Sequence, residues 1–411
     1  MTLARTVSRR ALAAMTTPSL ARVLGKPLYA LAGRRAQKLI SLASLNAILV
    51  VRLDEIGDLV LTTPFLRELR RNAQKAWITL VVKPQNLNLV ELCPYVDEIL
   101  TFTWNTRAIG EARKALWPRR YDLAILPRWG ADYYYAAALT YLSGARCRLG
   151  YSERVNEQKQ QLNRGSDRLM THVLGDKAPK HEVEHNLDVI RFLGGEVKDG
   201  GLEVWLNQQD RSFAAAVLAE HGVGPGDPVV AFAPGAGAAR RQWSIERFIG
   251  LGRLLEHDLG SLVVVGGPEG APLGERLRAE LGAHVVNLAG RTTLRQTAAV
   301  LERCRLTVTN DSGPMHLAAA AGSAVVEISA HALNGSPAHP QSPVRFHPWS
   351  AAHIVVQPQQ AVYPCRGSCE AREPHCILEV RTEQVLAAAR SLLAAEETTT
   401  SADGEFRHAR H

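Results

Sequence analysis

The stretch ILVVRLDEIGDLVLTTPFLRELRR, residues 48–71, decides the fold of this 411-residue chain. Its first four residues are continuously apolar, which predicts a buried parallel strand. Residues 52–58 form the loop that follows, and the apolar residues beyond it recur at helical spacing, with Pro64 in a first helical turn. A strand, a glycine-containing loop and a helix open a βαβ unit, in which anions bind at the helix N-terminus above the sheet.

The loop of this unit differs from a dinucleotide-binding loop. It carries Asp54, Glu55 and Asp58, and it lacks the three-glycine fingerprint. A carboxylate that points into a crevice is better suited to accepting a proton than to binding a phosphate. Asp58 is therefore a candidate general base, and the alternative is that it only complements the helix dipole.

The pattern R-x4-G-D-x4-T-P, residues 52–64, resembles the opening of glycosyltransferase family 9, the heptosyltransferases of lipopolysaccharide core synthesis. The resemblance implies that Asp58, the aspartate of the Gly-Asp pair, is the catalytic base. It also places Arg52 and Gly57 in the substrate site, where Arg52 is expected to help position an anionic acceptor.

The length of the chain exceeds what one hydrophobic core organises, so we expect two domains. Predicted strands alternate with predicted helices in the first half. The same alternation begins again after a boundary near residues 206–226. The resemblance implies an α/β GT-B fold, with two Rossmann-like domains facing an inter-domain cleft. The expected segments are a basic extension (1–45), an acceptor domain (46–205), a donor domain (206–395) and a disordered tail (396–411).

The formal net charge of +8 belongs to the N-terminal segment. Residues 1–46 hold 8 of the 48 Lys and Arg residues and no acidic residue, which leaves 40 basic against 40 acidic residues elsewhere. Without a long apolar run, the segment is neither a signal peptide nor a transmembrane helix. We favour a loosely structured or interfacial helix at anionic lipid, with a solvated tail or a transit peptide as alternatives. No basic patch with interleaved aromatic residues points to nucleic acid.

Three loops at strand ends of the second half form the expected donor site. In the first loop, residues 234–243, Gly235 lets a phosphate approach the backbone and Arg241 can clamp a diphosphate. In the second loop, residues 266–269, the resemblance assigns Glu269 to the nucleoside. The alternative for Glu269 is a helix N-terminal residue without a ligand.

The third loop, within residues 309–320, carries the pattern D-S-G-x-x-H. Asp311 or Ser312 is expected to cap the helix that starts here. The unpaired N–H groups of its first turn can bind a diphosphate. Gly313 permits close approach, and His316 is expected to reach the phosphates. Because the pattern is characteristic of family 9, we prefer this role for His316 to that of a buried structural histidine.

The six cysteines divide into two groups. Three are scattered and are predicted to be reduced core residues: Cys93, Cys147 and Cys304. The other three, Cys365, Cys369 and Cys376, stand beside His375 and resemble a metal site more than a disulfide frame. Since Cys-x3-Cys is an unusual zinc spacing, a structural metal stays open here. We predict no catalytic metal, and His181 with His185 lacks enough partners for a metal site.

The sequence therefore predicts an inverting glycosyltransferase. By the resemblance, its substrates are a nucleotide-diphospho-sugar, ADP-heptose, and an anionic glycolipid or oligosaccharide of the lipopolysaccharide core or a related glycan, and it needs no cofactor. Asp58 takes the acceptor proton, with Asp54 and Glu55 as alternative bases. We expect a cytoplasmic protein and leave open a peripheral position on the inner face of the bacterial inner membrane. An epimerase or a non-catalytic sugar-nucleotide-binding protein of the same fold is the alternative.

Overall fold

The computed structural model describes residues 18–31, 41–255, 260–366 and 368–408. Its core consists of two six-stranded sheets. The first sheet contains β1 (Ala47–Arg52), β2 (Trp77–Val82), β3 (Glu98–Thr101), β4 (Leu123–Leu126), β5 (Cys147–Tyr151) and β6 (His172–Leu174). The second contains β7 (Val229–Ala233), β8 (Ser261–Val264), β9 (Val285–Asn287), β10 (Leu306–Asn310), β11 (Ala324–Ile328) and β12 (His353–Val356).

Helices connect the strands of both sheets. In the first half they are α1 (Pro18–Gly25), α2 (Ile56–Val60), α3 (Thr63–Asn72), α4 (Leu87–Val90), α5 (Ala108–Leu116), α6 (Ala136–Leu142), α7 (Glu157–Leu162) and α8 (Glu182–Phe192). In the second half they are α9 (Gln208–Ala219), α10 (Ile245–Leu254), α11 (Ala271–Leu281), α12 (Leu294–Leu301), α13 (Gly313–Ala321), α14 (Pro343–Phe346) and α15 (Thr382–His408). The last helix enters the stretch 396–411 that we expected to be disordered.

The two sheets share one topology. The strand order is β3-β2-β1-β4-β5-β6 in the first and β9-β8-β7-β10-β11-β12 in the second, and every strand pair is parallel. This is the Rossmann order, in which ligands bind at the carboxyl ends where the order reverses. Those points lie between β1 and β4 and between β7 and β10. The predicted pair of Rossmann-like domains is confirmed.

The helices next to the predicted boundary pack on different halves. α8 contacts α3 of the first half, whereas α9 contacts α12 of the second. The boundary near residue 206 therefore falls between a helix of each half, although its position stays a prediction.

Part of the basic extension packs against the first half. Ala21 and Tyr29 are buried, and the Tyr29 ring lies 5.3 Å from the ring of Tyr135. The Tyr29 hydroxyl donates to Asp132 Oδ2 at 3.4 Å. We expected a loosely structured or interfacial helix here, and residues 18–31 contain helix α1 and pack on the first half. Residues 1–17 and 32–40, which hold most of the extension's basic side chains, lie outside the described residues. Within the described ranges, no helix is both long and apolar enough to cross a membrane.

The two halves touch where α2 meets α13. A Cβ atom added to Gly57 would lie 2.5 Å from Cδ2 of His316, which is closer than two carbon atoms can approach. A Cβ atom at Gly313 would lie 3.4 Å from Cβ of Ile56. The glycine of the Gly-Asp pair is therefore required by a contact between the halves.

We expect the substitution Gly57→Ala to lower the free energy of unfolding by about 1–3 kcal/mol, the usual cost of forcing a methyl group into a packed contact. Urea unfolding followed by circular dichroism measures the change. Gly110→Ala is the matched control, because nothing lies within 4 Å of that position in α5. The control should gain a few tenths of a kcal/mol to about 1 kcal/mol. Equal stabilities of the two variants would show that the contact is absent in solution.

Candidate active site

Asp58 lies in the first turn of a short helix beyond the carboxyl end of β1. β1 ends at Arg52 and α2 begins at Ile56, so the predicted loop is shorter than expected. Arg128 Nη1 donates to Asp58 Oδ1 at 2.5 Å, and Arg52 Nη2 lies 3.8 Å from the same oxygen. The Asp58 side chain keeps 13% of its surface exposed. It is thus held by two cations through one oxygen, and part of it stays accessible.

The two alternative bases have different surroundings. Asp54 is buried, and burial raises its pKa in spite of the charges of Arg128 and Arg52. The Glu55 side chain is 64% exposed and accepts hydrogen bonds from Lys83 and Tyr134. Asp54 therefore lacks the accessibility of Asp58, whereas Glu55 is accessible and is held through one oxygen, Oε1, by residues of the first half.

Arg52 is completely buried. Its Nη1 donates to the carbonyl of Pro127 at 2.7 Å, and its Nη2 donates to the carbonyl of Asp58 at 3.3 Å. Its Nε lies 3.3 Å from Asp54 Oδ2. In this structure Arg52 holds the loop after β1 to the loop after β4, and its side chain has no surface exposed to solvent.

Arg128 is a site residue that was not predicted from the sequence. This residue follows β4, the strand that pairs with β1, so its loop lies beside the loop that carries Asp58. Burial acts to lower the pKa of Arg128, but Asp54, Asp58 and Glu182 raise it well above its ordinary value. The order of strands in a Rossmann fold would have been the signal, since the carboxyl ends of β1 and β4 are always neighbours.

A second ion pair lies behind Arg128 and joins the two halves. Arg345 from α14 donates to Glu182 in the first turn of α8, and both side chains are buried. The Arg345 guanidinium lies 4.7 Å from the ring of Trp129, which stacks on His185. Burial acts to raise the pKa of Glu182, but Arg345 and the cations near it lower that pKa to about 2. Glu182 is therefore ionised.

On the other side of the cleft, Arg241 pairs with Asp311. Arg241 Nη1 lies 3.1 Å from the Asp311 carbonyl and 3.3 Å from Asp311 Oδ2. The side chain of Asn310 accepts from the backbone N–H of Trp243 at 3.0 Å and donates to the carbonyl of Pro234 at 2.7 Å. These bonds hold the loop after β7 to the end of β10, so two of the three predicted donor loops meet.

The helix α13 begins at this meeting point. Ser312 is its N-cap residue in extended backbone conformation, and the Ser312 side chain makes no capping hydrogen bond. Pro314 has no N–H and the N–H of Met315 donates to the Ser312 carbonyl at 3.1 Å, so the N–H of Gly313 is the one left in the first turn for another acceptor. His316 is buried beside Gly57, and burial lowers its pKa to about 4, so the ring is neutral at physiological pH.

Three nitrogen atoms near this helix terminus are buried without a hydrogen-bond partner among the described residues: Nε of Arg240, Nε of Arg241 and Nδ1 of His316. Buried polar atoms in folded proteins almost always have partners, so such a group calls for a ligand or a water molecule. Two cationic donors and a helix N-terminus together favour the binding of an anion at this place.

Gly235 and Glu269 lie at the edge of this region. A Cβ atom at Gly235 would be 3.9 Å from Cα of Gly270, so the loop after β7 lies against the loop after β8. Glu269 is exposed and folds back over Gly267. The structure therefore brings all three predicted donor loops together, with Glu269 on the outermost one.

Comparisons with known proteins agree with this arrangement. A family model described as glycosyltransferase family 9 (heptosyltransferase) matches residues 109–375. Lipopolysaccharide heptosyltransferase 2 of Escherichia coli K12 is 26% identical over 371 residues, which is 85% of this chain and 99% of that protein. Lipooligosaccharide heptosyltransferase 2 of Haemophilus influenzae is 30% identical over 175 residues, 41% of this chain and 48% of that protein.

Two solved structures share the fold. A family 9 glycosyl transferase from Veillonella parvula has a TM-score of 0.70 at 23% identity and covers 88% of this chain and 100% of its own. E. coli ADP-heptose lps heptosyltransferase II has a TM-score of 0.65 at 23% identity, with 85% and 99% covered. Because the family model spans more than half of the sequence, the chain belongs to glycosyltransferase family 9, the heptosyltransferases, and is a glycosyltransferase of GT-B fold.

Proposed function

We propose that this glycosyltransferase moves heptose from ADP-heptose to a lipopolysaccharide-core or related anionic glycan acceptor, with inversion at the anomeric carbon. The observation that carries the proposal is the position of Asp58. Arg128 orients its carboxylate in α2, and α2 packs against α13, the helix whose N-terminus lies beside Arg241. The names of the similar E. coli and H. influenzae proteins support the choice of sugar and acceptor.

In the proposed reaction, Asp58 acts as general base. Both arginines approach Oδ1 of Asp58, so Oδ2 is the oxygen offered to the acceptor hydroxyl. As the acceptor oxygen attacks the anomeric carbon, its proton passes to Asp58 and the bond from that carbon to the diphosphate breaks. Arg52 then acts through Asp58, because it is buried behind the loop.

The leaving diphosphate would be stabilised by groups of the second half. The N-terminus of α13 at Ser312 and Gly313 supplies N–H donors, and the unpartnered Nε of Arg241 supplies a cationic one. His316 Nδ1 is a further unpaired atom in this region. Since these groups meet the developing charge themselves, we propose no metal ion or other cofactor in the transfer step. Glu269, on the adjoining loop, is the proposed contact to the nucleoside.

The direct test is to incubate the full chain with ADP-heptose, with and without a heptose-deficient lipopolysaccharide core. We expect release of ADP and a heptose-sized increase in acceptor mass only when both substrates are present. UDP- and GDP-linked sugars serve as donor controls. Conversion of the donor without acceptor would instead identify an epimerase, and binding without turnover would identify a non-catalytic protein.

We expect Asp58→Asn to reduce turnover roughly 10²–10⁴-fold, the usual contribution of a positioned base. The dissociation constant for ADP should change little, because Arg241, Asp311 and the α13 terminus belong to the other half. Initial rates and calorimetric titration with ADP measure the two effects.

Glu55→Gln is the matched control for this variant, since Glu55 precedes the same helix and is largely exposed. It should keep most of the turnover. A fully active Asp58→Asn enzyme would remove Asp58 from the mechanism, and circular dichroism must show that both variants are folded.

We also propose that the basic extension holds the enzyme at an anionic membrane surface near its acceptor. Residues 18–31 pack on the first half, so deleting the whole extension would also disturb the fold. The deletion variant therefore removes only residues 1–17, which include Arg5, Arg9 and Arg10. Each basic residue contributes about 1 kcal/mol near such a surface. Co-sedimentation with phosphatidylglycerol vesicles should fall in the deletion variant, while ADP binding persists. Equal sedimentation of both proteins, or equal binding to neutral vesicles, would contradict the proposal.

A further inference from the structure

The segment between β12 and α15 brings four metal-ligating side chains into one cluster: Cys365, Cys369, His375 and Cys376. Their ligand atoms all lie within 4.8 Å of one another. Cys369 and Cys376 are buried, and Cys365 is partly buried. The cluster lies outside the candidate active site, and the transfer mechanism does not use it.

The distances within the cluster fit a shared metal ion. His375 Nδ1 lies 3.6 Å from Cys365 Sγ and 3.5 Å from Cys376 Sγ. A tetrahedral zinc ion with bonds of about 2.3 Å to sulfur and about 2.0 Å to nitrogen places two such ligand atoms roughly 3.5 Å apart. A hydrogen bond explains this geometry less well, because Nδ1 carries either one proton or one lone pair and faces two thiols.

We propose that these four residues bind one structural Zn²⁺ ion. Three thiolates and one imidazole form a closed tetrahedral set without an open position for water, which is typical of a structural site rather than a catalytic one. The unusual Cys-x3-Cys spacing has a physical reason. Among the described residues of this segment, the 3₁₀ turn at Cys376–Glu379 is the only regular element, so irregular backbone brings the ligands together.

The metal would fix a segment that supports the donor site. Val380, four residues after the last ligand, accepts hydrogen bonds from Trp243 Nε1 at 2.8 Å and from Arg247 Nη1 at 2.5 Å. Cys369 and Cys376 pack in the same hydrophobic core as Trp243. Because Trp243 lies two residues after Arg241, an ion that orders the cysteine segment also steadies the loop that carries Arg241.

The test begins with the full chain purified under reducing conditions. Elemental analysis should find one zinc ion per chain, and replacement by Co²⁺ should give the visible absorption of a tetrahedral thiolate site. Chelator-stripped protein should regain its melting temperature when Zn²⁺ is restored. If stripped, reduced protein takes up no zinc, the proposal is wrong, and a transferase assay on the same sample keeps this result separate from the proposed function.

The substitution Cys365→Ser identifies the site, because this ligand is only partly buried and its loss is least disruptive to folding. It should lose the bound zinc and the Zn²⁺-dependent rise in melting temperature. Cys304→Ser is the matched control, since Cys304 is a buried thiol in the same half but outside the cluster. It should keep one zinc ion per chain. Equal zinc content in the two variants would overturn the assignment.

Discussion

A group of six charges, all buried except the partly exposed Asp58, underlies the arrangement of the candidate site. The positive members are Arg52, Arg128 and Arg345, and the negative members are Asp54, Asp58 and Glu182. Removing a charge from water costs several kcal/mol, and the cost is offset only when opposite charges are close and well oriented. Each member here has at least one such partner. We infer that the group fixes the geometry of the site, since a shifted loop would leave a charge unpaired.

This charge group also connects Asp58, the proposed base, to the relative position of the two halves. Glu182 belongs to the first half and Arg345 to the second, and their pairing requires the halves to lie as they do. Glu182 in turn acts on Arg128, the residue that orients Asp58. The contact between Gly57 and His316 is a second constraint on the same junction. A change in the angle between the halves would thus reach the Asp58 carboxylate through packed side chains.

The sequence predicted those parts of the molecule that local patterns determine. Continuous apolar runs are diagnostic of buried parallel strands, and the predicted run at residues 48–51 lies inside the observed strand β1, Ala47–Arg52. Two short strands at the sheet edges, β6 and β12, were not predicted because each spans only three or four residues and begins with a histidine. Glu182 and Arg345 were not predicted for another reason. Glu182 and Arg345 are 163 residues apart, and nothing in the local sequence of either one indicates its partner.

The two halves place the same kind of ion pair at equivalent points of their sheets, with the roles exchanged. In the first half the aspartate follows β1 and the arginine follows β4, so Arg128 orients Asp58. In the second half the arginine follows β7 and the aspartate follows β10, so Asp311 orients Arg241. β7 and β10 occupy the positions of β1 and β4 in the shared strand order.

The chemistry of the two proposed substrates gives this exchange a reason. An acceptor hydroxyl requires a carboxylate that is held in place and still open on one oxygen, which is the arrangement at Asp58. A diphosphate would be repelled by a free carboxylate, so Asp311 is compatible with it only when its charge is balanced. Arg241 provides that balance through Nη1 and keeps Nε unpartnered for an anion. One fold, used twice, thus presents a carboxylate on one side of the cleft and a guanidinium on the other.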